Sequence, residues 1–134
     1  MFNSNVGKIF FLFLFFLLFL FTKNSSSQKI FNLVGDWEGV NKSYSLEKGS
    51  RSWKKKITIF EQNERIFKGN FKYADGETNF IGVIRSNNKS FYWVSAESKG
   101  YINGEILNKR TIEVCYVEAY QNAAVGCAIL KREK

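Results

Sequence analysis

From Gly35 to the end of the chain, apolar and polar residues alternate, and turn-forming residues recur about every 10 to 13 positions. No stretch carries the sustained apolar period of an amphipathic helix. Short alternating segments at this spacing are typical of an antiparallel sandwich or barrel with one buried face per strand. The sequence predicts an all-β fold of eight strands, over roughly 35–45, 52–61, 66–73, 78–85, 90–96, 101–107, 111–118 and 124–132.

A different pattern precedes this domain. Lys8 is followed by 13 uninterrupted apolar residues, Ile9 to Phe21, and then by small and polar residues that end in three serines. Such a segment is typical of a secretory signal peptide, and as a helix the apolar run is too short to cross a bilayer comfortably. We expect residues 1–27 to be a signal peptide and residues 28–134 to form one exported domain, periplasmic or secreted. Because no Ala-x-Ala cleavage site occurs, an uncleaved membrane anchor is the alternative.

Composition excludes several classes of function. The chain has no His, so it cannot contain a Ser-His-Asp triad or an imidazole-based metal site, and its two Cys cannot form a four-thiolate site. No nucleophile motif or tuned carboxylate pair is evident. The formal charge of +8 falls to +6 without Lys8 and Lys23 of the signal segment. We therefore expect no enzyme activity, no metal, no cofactor and no nucleic-acid partner, and membrane contact only through an uncleaved signal segment.

The turns between strands predict which residues face each other. All the predicted pairs fall on one inward face, and a slip of one residue would turn a strand inside out. The second strand is ambiguous, because either Ile57 and Ile59 or Thr58 and Phe60 could face inward. Along the chain, the predicted pairs are Phe71 with Phe80, Gly69 with Gly82, Phe67 with Ile84, Ile84 with Phe91, Gly82 with Trp93, Gly104 with Trp93, Ile102 with Ser95, Ile106 with Ile112 and Gly104 with Val114.

The last hairpin brings the two cysteines together. If its loop centres on Gln121, Cys115 faces Cys127 on the outer surface, and Tyr116 and Leu130 point inward. Disulfides form in exported proteins, so we expect this pair to be bonded. The chain-entropy model gives about 3 kcal/mol for a loop of this size.

The two ends of the domain resemble a known superfamily. Gly35-Asp36-Trp37 begins the first strand and Leu130-Lys131-Arg132 lies in the last. This resembles the calycin superfamily of lipocalins, fatty-acid-binding proteins and avidins. The resemblance implies an up-and-down eight-stranded β-barrel in which Gly35 opens the first strand and Arg132 packs over Trp37 at the closed end. The match is with a small exported lipocalin-like or avidin-like domain of bacterial type.

Several inward residues are candidates for a binding site. The segment from Gly39 to Ser45 loosely resembles the avidin first strand, where inward Asn and Ser line the ligand pocket. An eight-stranded barrel is just wide enough to be filled by side chains or to hold one small ligand. Two interpretations remain open, an aromatic-lined pocket and a packed core with a shallow mouth. The candidate ligand-binding residues are Asn41, Ser43, Ser45, Tyr73, Trp93, Ser95 and Tyr116.

Two functions are compatible with these features. The first is an exported binding protein that holds a small hydrophobic or amphipathic ligand in the barrel mouth. The second is a macromolecular binder or inhibitor of an exported hydrolase that acts through loops on a solid barrel. Lys54-Lys55-Lys56 is the densest basic run and is more typical of a solvated strand edge than of a binding site. Glu118 is the one acid expected near the open end.

Overall fold

The computed structural model describes residues 29–73 and 76–134, so the predicted signal peptide and its cleavage site lie outside the described residues. The all-β prediction is confirmed. Each strand pairs antiparallel with the next, and β8 pairs back with β1 to close an up-and-down barrel. No helix in the described part of the chain is long and apolar enough to span a membrane. The strands are β1 (Gly35–Ser45), β2 (Gly49–Asn63), β3 (Ile66–Tyr73), β4 (Gly76–Ile84), β5 (Ser90–Ser95), β6 (Tyr101–Asn108), β7 (Thr111–Glu118) and β8 (Ala124–Arg132).

Alternation along each strand sends one set of apolar side chains into the barrel. Closure leaves no edge strand, because each of the eight strands pairs with a neighbour on both sides. The buried apolar side chains form a single cluster. Its members are Leu33, Trp37, Ile57, Ile59, Phe67, Phe80, Ile84, Phe91, Trp93, Ile102, Ile112, Val114, Ala128 and Leu130.

The predicted pairing is confirmed in three hairpins. Ile84 faces Phe91 and Gly82 faces Trp93 between β4 and β5. The predicted pairs between β6 and β7 and the Cys115–Cys127 pair between β7 and β8 are also present. In these three hairpins the turn residues therefore predicted correctly both the face of each strand and the pairing across it.

Two predicted registers are wrong by two residues, although their inward face is right. Between β3 and β4, Gly69 faces Phe80, not Gly82, and Phe67 faces Gly82. The turn begins one residue earlier than predicted, because Tyr73 already pairs with Gly76. A register shift of two residues keeps the same side chains inside the barrel. It also places each glycine opposite an aromatic ring. A Cβ on Gly82 would lie 2.2 Å from Phe67, so the ring occupies the space that a side chain would need.

The hairpin between β5 and β6 is shifted in the same way. Gly104 pairs with Phe91, where we predicted Trp93, and Trp93 pairs with Ile102. A Cβ on Gly104 would lie 2.1 Å from the Phe91 ring. The actual register thus again seats a phenylalanine over a glycine.

The ambiguity of β2 is explained by a bulge. Ile59 faces Gly69 and Glu61 faces Lys68, so Phe60 is an extra residue in the pairing. Ile57 and Ile59 point inward and are fully buried, whereas Phe60 is 53% exposed. The inward face is therefore that of Ile57 and Ile59, and Phe60 belongs to the outer surface.

One end of the barrel is closed by the segment that precedes β1. The Trp37 Nε1 donates a 2.9 Å hydrogen bond to the Leu33 carbonyl, and the Arg132 guanidinium lies 4.4 Å above the Trp37 ring. Arg132 also donates to the Asn32 carbonyl. Leu33 is fully buried under this cap. The expected stacking of Arg132 on Trp37 is confirmed.

Cys115 and Cys127 form the predicted disulfide on the outer surface, with their Cα atoms 4.1 Å apart. The bond ties β7 to β8 and closes a short loop in the unfolded chain.

Candidate functional site: the open-end cavity

The end of the barrel opposite the Trp37–Arg132 cap is hollow. A cavity of about 400 Å³ is lined by residues from all the strands near that end. Of the buried apolar cluster, only Trp93 and Ile102 line it. The barrel therefore combines the two interpretations that the sequence left open, since its closed half is packed and its open half holds a cavity.

Aromatic stacking builds the floor of the cavity. The Trp93 indole stacks on Phe80 with ring centroids 4.5 Å apart and on Phe91 at 5.7 Å. Phe67 meets Trp93 edge-on. Since Trp93 lies between two rings and against a third, it is held rigidly and presents an apolar surface to the cavity.

Six of the seven candidate ligand-binding residues line this cavity. β1 contributes three of them because every second residue points inward near its end. The backbone of Tyr73 ends β3, and its side chain is not among those that the structure describes. A role for these residues in ligand binding stays a prediction. The six are Asn41, Ser43, Ser45, Trp93, Ser95 and Tyr116.

The basic run of β2 is divided by the barrel wall. Lys54 points outward and forms an ion pair with Glu38, and Lys56 pairs with Glu133. Lys55 points into the cavity and is only 4% exposed. The run is therefore not simply a solvated strand edge, because its middle residue belongs to the cavity wall.

Lys55 is held by aromatic rings. Its Nζ lies 5.7 Å from the Trp53 ring centre and 5.5 Å from that of Phe71. Both contacts are of the cation–π kind, which attracts an amine to a ring face. Among residues 29–73 and 76–134, no carboxylate forms an ion pair with this amine. Burial accordingly lowers the pKa of Lys55 to about 8, because removal from water disfavours the charged form.

Two further polar groups face the cavity without protein partners in the described chain. The Thr78 hydroxyl is buried and makes no hydrogen bond. The Asn41 side chain is 3% exposed and no hydrogen bond to another described residue satisfies its amide. Buried polar groups are normally hydrogen-bonded. Thr78 and Asn41 therefore have donor and acceptor capacity that the protein itself does not use.

A separate hydroxyl cluster lies at the other side of the mouth. The Tyr116 hydroxyl donates to the Glu118 carboxylate and lies 3.0 Å from the Ser98 hydroxyl. Burial and the hydrogen bond to Glu118 together raise the pKa of Tyr116 to about 12. Tyr116 thus remains a neutral donor at ordinary pH, and its capacity is taken up by Glu118.

Sequence reasoning missed several members of this wall, above all Lys55, Thr78, Trp53 and Ser98. The signal for Lys55 and Trp53 was present, because the alternation that turns Ile57 and Ile59 inward also turns every second residue before them inward. The three consecutive lysines obscured it. The signal for Thr78 was also present, because it lies two residues before the inward Phe80 and a register shift of two does not change its face.

The site's chemistry suits binding. It combines an aromatic floor with an amine, hydroxyls and an amide on the wall, which are groups that orient a ligand in a small-molecule pocket. In the described part of the chain, no group of three or more Cys, Asp and Glu side chains is arranged to hold a metal ion.

Comparison with known proteins supports the fold alone. No protein-family model and no curated protein matches the chain. The structure is similar to that of a redesigned β-barrel, with a TM-score of 0.53 and 8% sequence identity over 76% of this chain and 92% of that one. The chain therefore has a closed antiparallel β-barrel fold that a designed protein shares.

Proposed function

We propose that this chain is an exported, non-enzymatic binding protein that takes a small hydrophobic or amphipathic ligand into the open-end cavity. The observation that carries the proposal is the cavity itself, about 400 Å³ in volume, with Trp93 at its floor and polar side chains on its wall. Small-molecule sites are mostly apolar concavities of roughly 300–1,000 Å³ with a few placed polar groups.

The barrel is suited to hold such a site open. Its packed half anchors the floor through stacked rings, and the closed sheet fixes the wall strands by backbone pairing. Ligand binding would then cost the protein little conformational entropy, since the site is largely formed before the ligand binds. Export is part of the proposal, and the Cys115–Cys127 disulfide is compatible with it because such bonds persist in oxidising compartments.

Native mass spectrometry of the protein purified from its source tests the proposal. We expect a population heavier than the polypeptide by the mass of one small molecule, which denaturation releases. In a Ser43→Trp variant the indole fills the cavity from β1. The matched control is Lys42→Trp, which places the same group on the outer surface. Loss of the adduct only in Ser43→Trp supports cavity binding, and absence of any adduct from the unmodified protein contradicts it.

A second candidate function rests on the loops around the mouth. Leu46 is 70% exposed and Tyr120 is 83% exposed, and their loops are joined by a 3.1 Å hydrogen bond from the Leu46 amide to the Ala123 carbonyl. Exposed Tyr and Leu on adjoining loops fit a contact with another protein, as in an inhibitor of an exported hydrolase. A pull-down from the exported fraction distinguishes this function from ligand binding. It compares the unmodified protein with a Leu46→Ser/Tyr120→Ser variant. Capture of a hydrolase by the former alone would support it.

A further inference from the structure

The amine of Lys55 is a buried charge without a counter-ion. Lys55 is 4% exposed, and its Nζ is contacted by two aromatic rings and, in the described chain, by no carboxylate. Removing an ammonium from water carries a large penalty unless a partner replaces the lost hydration. A methionine would fill the same space without that penalty. The stability of the empty barrel therefore gives no reason for an amine at this position.

The unused polar groups lie beside the same two rings that hold the amine. Strand pairing sets Thr78 opposite Phe71 and Asn41 opposite Trp53. The Thr78 hydroxyl is buried and has no partner, and the Asn41 amide faces the same cavity. Three polar side chains from β1, β2 and β4 thus line the cavity beside the same two rings. Each of them can donate a hydrogen bond, so together they can bind an acceptor that enters the cavity.

We propose that Lys55, Thr78 and Asn41 form an anion subsite that holds the carboxylate of an amphipathic monoacid, whose apolar part lies against Trp93. This inference rests on the proposed binding function and specifies the chemical class of its ligand. A carboxylate accepts several hydrogen bonds through its two oxygens, and charge-assisted bonds to an amine are the stronger kind.

The charges that face the cavity favour a ligand with one negative charge. Besides Lys55, its lining includes Arg51, Glu97 and Glu118. The Glu118 carboxylate accepts the Tyr116 hydroxyl, so that side of the mouth already carries negative charge. Lys55 is the buried cation and neutralises one carboxylate, whereas the exposed Arg51 is outnumbered by the two glutamates, so a doubly charged phosphate would leave its second charge near them. A monoacid therefore neutralises the Lys55 amine with the least repulsion from the two glutamates.

Three probes with the same ten-carbon chain test the assignment by calorimetric titration at pH 7: decanoate, decanol and decylamine. We expect decanoate to bind roughly tenfold to a hundredfold more tightly than decanol, the factor that a hydrogen bond to a charged group supplies. Decylamine should bind more weakly than decanol, since it places a second ammonium beside Lys55.

Variants locate the effect. Lys55→Met should remove the preference for decanoate while leaving decanol affinity within about twofold, and Lys54→Met, which changes the outward neighbour, should leave the preference intact. Thr78→Val removes only the hydroxyl. It should weaken decanoate binding severalfold without lowering the melting temperature of the empty protein, because that hydroxyl has no partner to lose.

The outcomes separate this inference from the proposed function. Equal binding of decanoate and decanol, or a decanoate preference that survives in Lys55→Met, would overturn the anion subsite and leave a binding cavity. If none of the three probes binds and the native adduct is also absent, both are overturned. A native adduct with acidic chemistry, lost in Lys55→Met, would support both.

Discussion

Arg132 and Trp37 lie directly opposite each other on β8 and β1, with the guanidinium 4.4 Å above the indole ring. The centre of the Phe31 ring also lies 5.7 Å from the Arg132 guanidinium. This contact joins the last strand, the first strand and the segment before it. The closed end thus provides the rigid base on which the cavity stands.

Arg132→Lys should destabilise this end. Lysine keeps the positive charge but loses the flat guanidinium that covers Trp37 and reaches the Asn32 carbonyl. We expect a loss of about 1–2 kcal/mol in the free energy of unfolding, measured by denaturant titration. Lys131→Ala, an exposed neighbour, is the matched control and should change stability by less than about 0.5 kcal/mol. An equal effect of the two substitutions would contradict the structural role of the stacking.

Reduction of the Cys115–Cys127 bond should lower the melting temperature. The chain-entropy model gives about 3 kcal/mol for a loop of this size, which corresponds to about 10 °C or more in a domain of about 100 residues. Calorimetric scans with and without reductant measure the shift. A Cys115→Ala/Cys127→Ala variant should melt at the lower temperature in both conditions. A reductant effect that persists in this variant would show that it does not come from the disulfide.

The lowered pKa of Lys55 should make stability depend on pH. In the folded barrel the amine loses its proton near pH 8, whereas in the unfolded chain it does so near its ordinary value of 10.5. Between these values the unfolded state binds more protons, so stability rises with pH, and the full change corresponds to about 3 kcal/mol. The raised pKa of Tyr116 acts in the opposite direction, but only above about pH 10.

Urea titrations from pH 7 to 9.5 therefore isolate the lysine. We expect the gain in stability over this range to disappear in Lys55→Met, which should also be more stable than the unmodified protein at pH 7. The gain should remain in Lys54→Met. If Lys55→Met is less stable at pH 7, the buried amine contributes to folding and the case for an external anion is lost.

Gly82→Ala should be among the most damaging small substitutions. The added Cβ would lie 2.2 Å from the Phe67 ring and 2.7 Å from the Tyr92 carbonyl oxygen, and Phe67 is fully buried. Neither neighbour can move freely, so we expect a cost of about 3 kcal/mol or more. Asn103→Ala, on the exposed face of β6, serves as the control. A near-neutral Gly82→Ala would indicate that Phe67 does not pack on Gly82.

These glycines also show what the sequence could predict. Alternation fixed the inward face of β3 to β8, and the turn at Asn87-Asn88 predicted the partners of Gly82 and Ile84 correctly. A register shift of two keeps every side chain on its face, so alternation alone does not distinguish the alternatives. The choice is made by packing, which places Phe67 over Gly82 and Phe91 over Gly104.

The candidate site could be predicted only in part. The polar residues of β1 and Trp93 follow from strand direction and parity, and they line the cavity as expected. Lys55 did not stand out, because three consecutive lysines look the same in a sequence although one points inward. Whether the barrel is hollow depends on the summed volumes of inward side chains at each end, and pairing patterns do not report volume.

In the proposed binding mode, a ligand enters the open end and rests on Trp93, away from Trp37. A heavy-atom quencher, 10-bromodecanoate, tests it in two variants that each retain one of these tryptophans, Trp37→Phe/Trp53→Phe and Trp53→Phe/Trp93→Phe. We predict saturable quenching of Trp93 fluorescence and no saturable quenching of Trp37. Equal quenching of both tryptophans, or none of Trp93, would contradict the account.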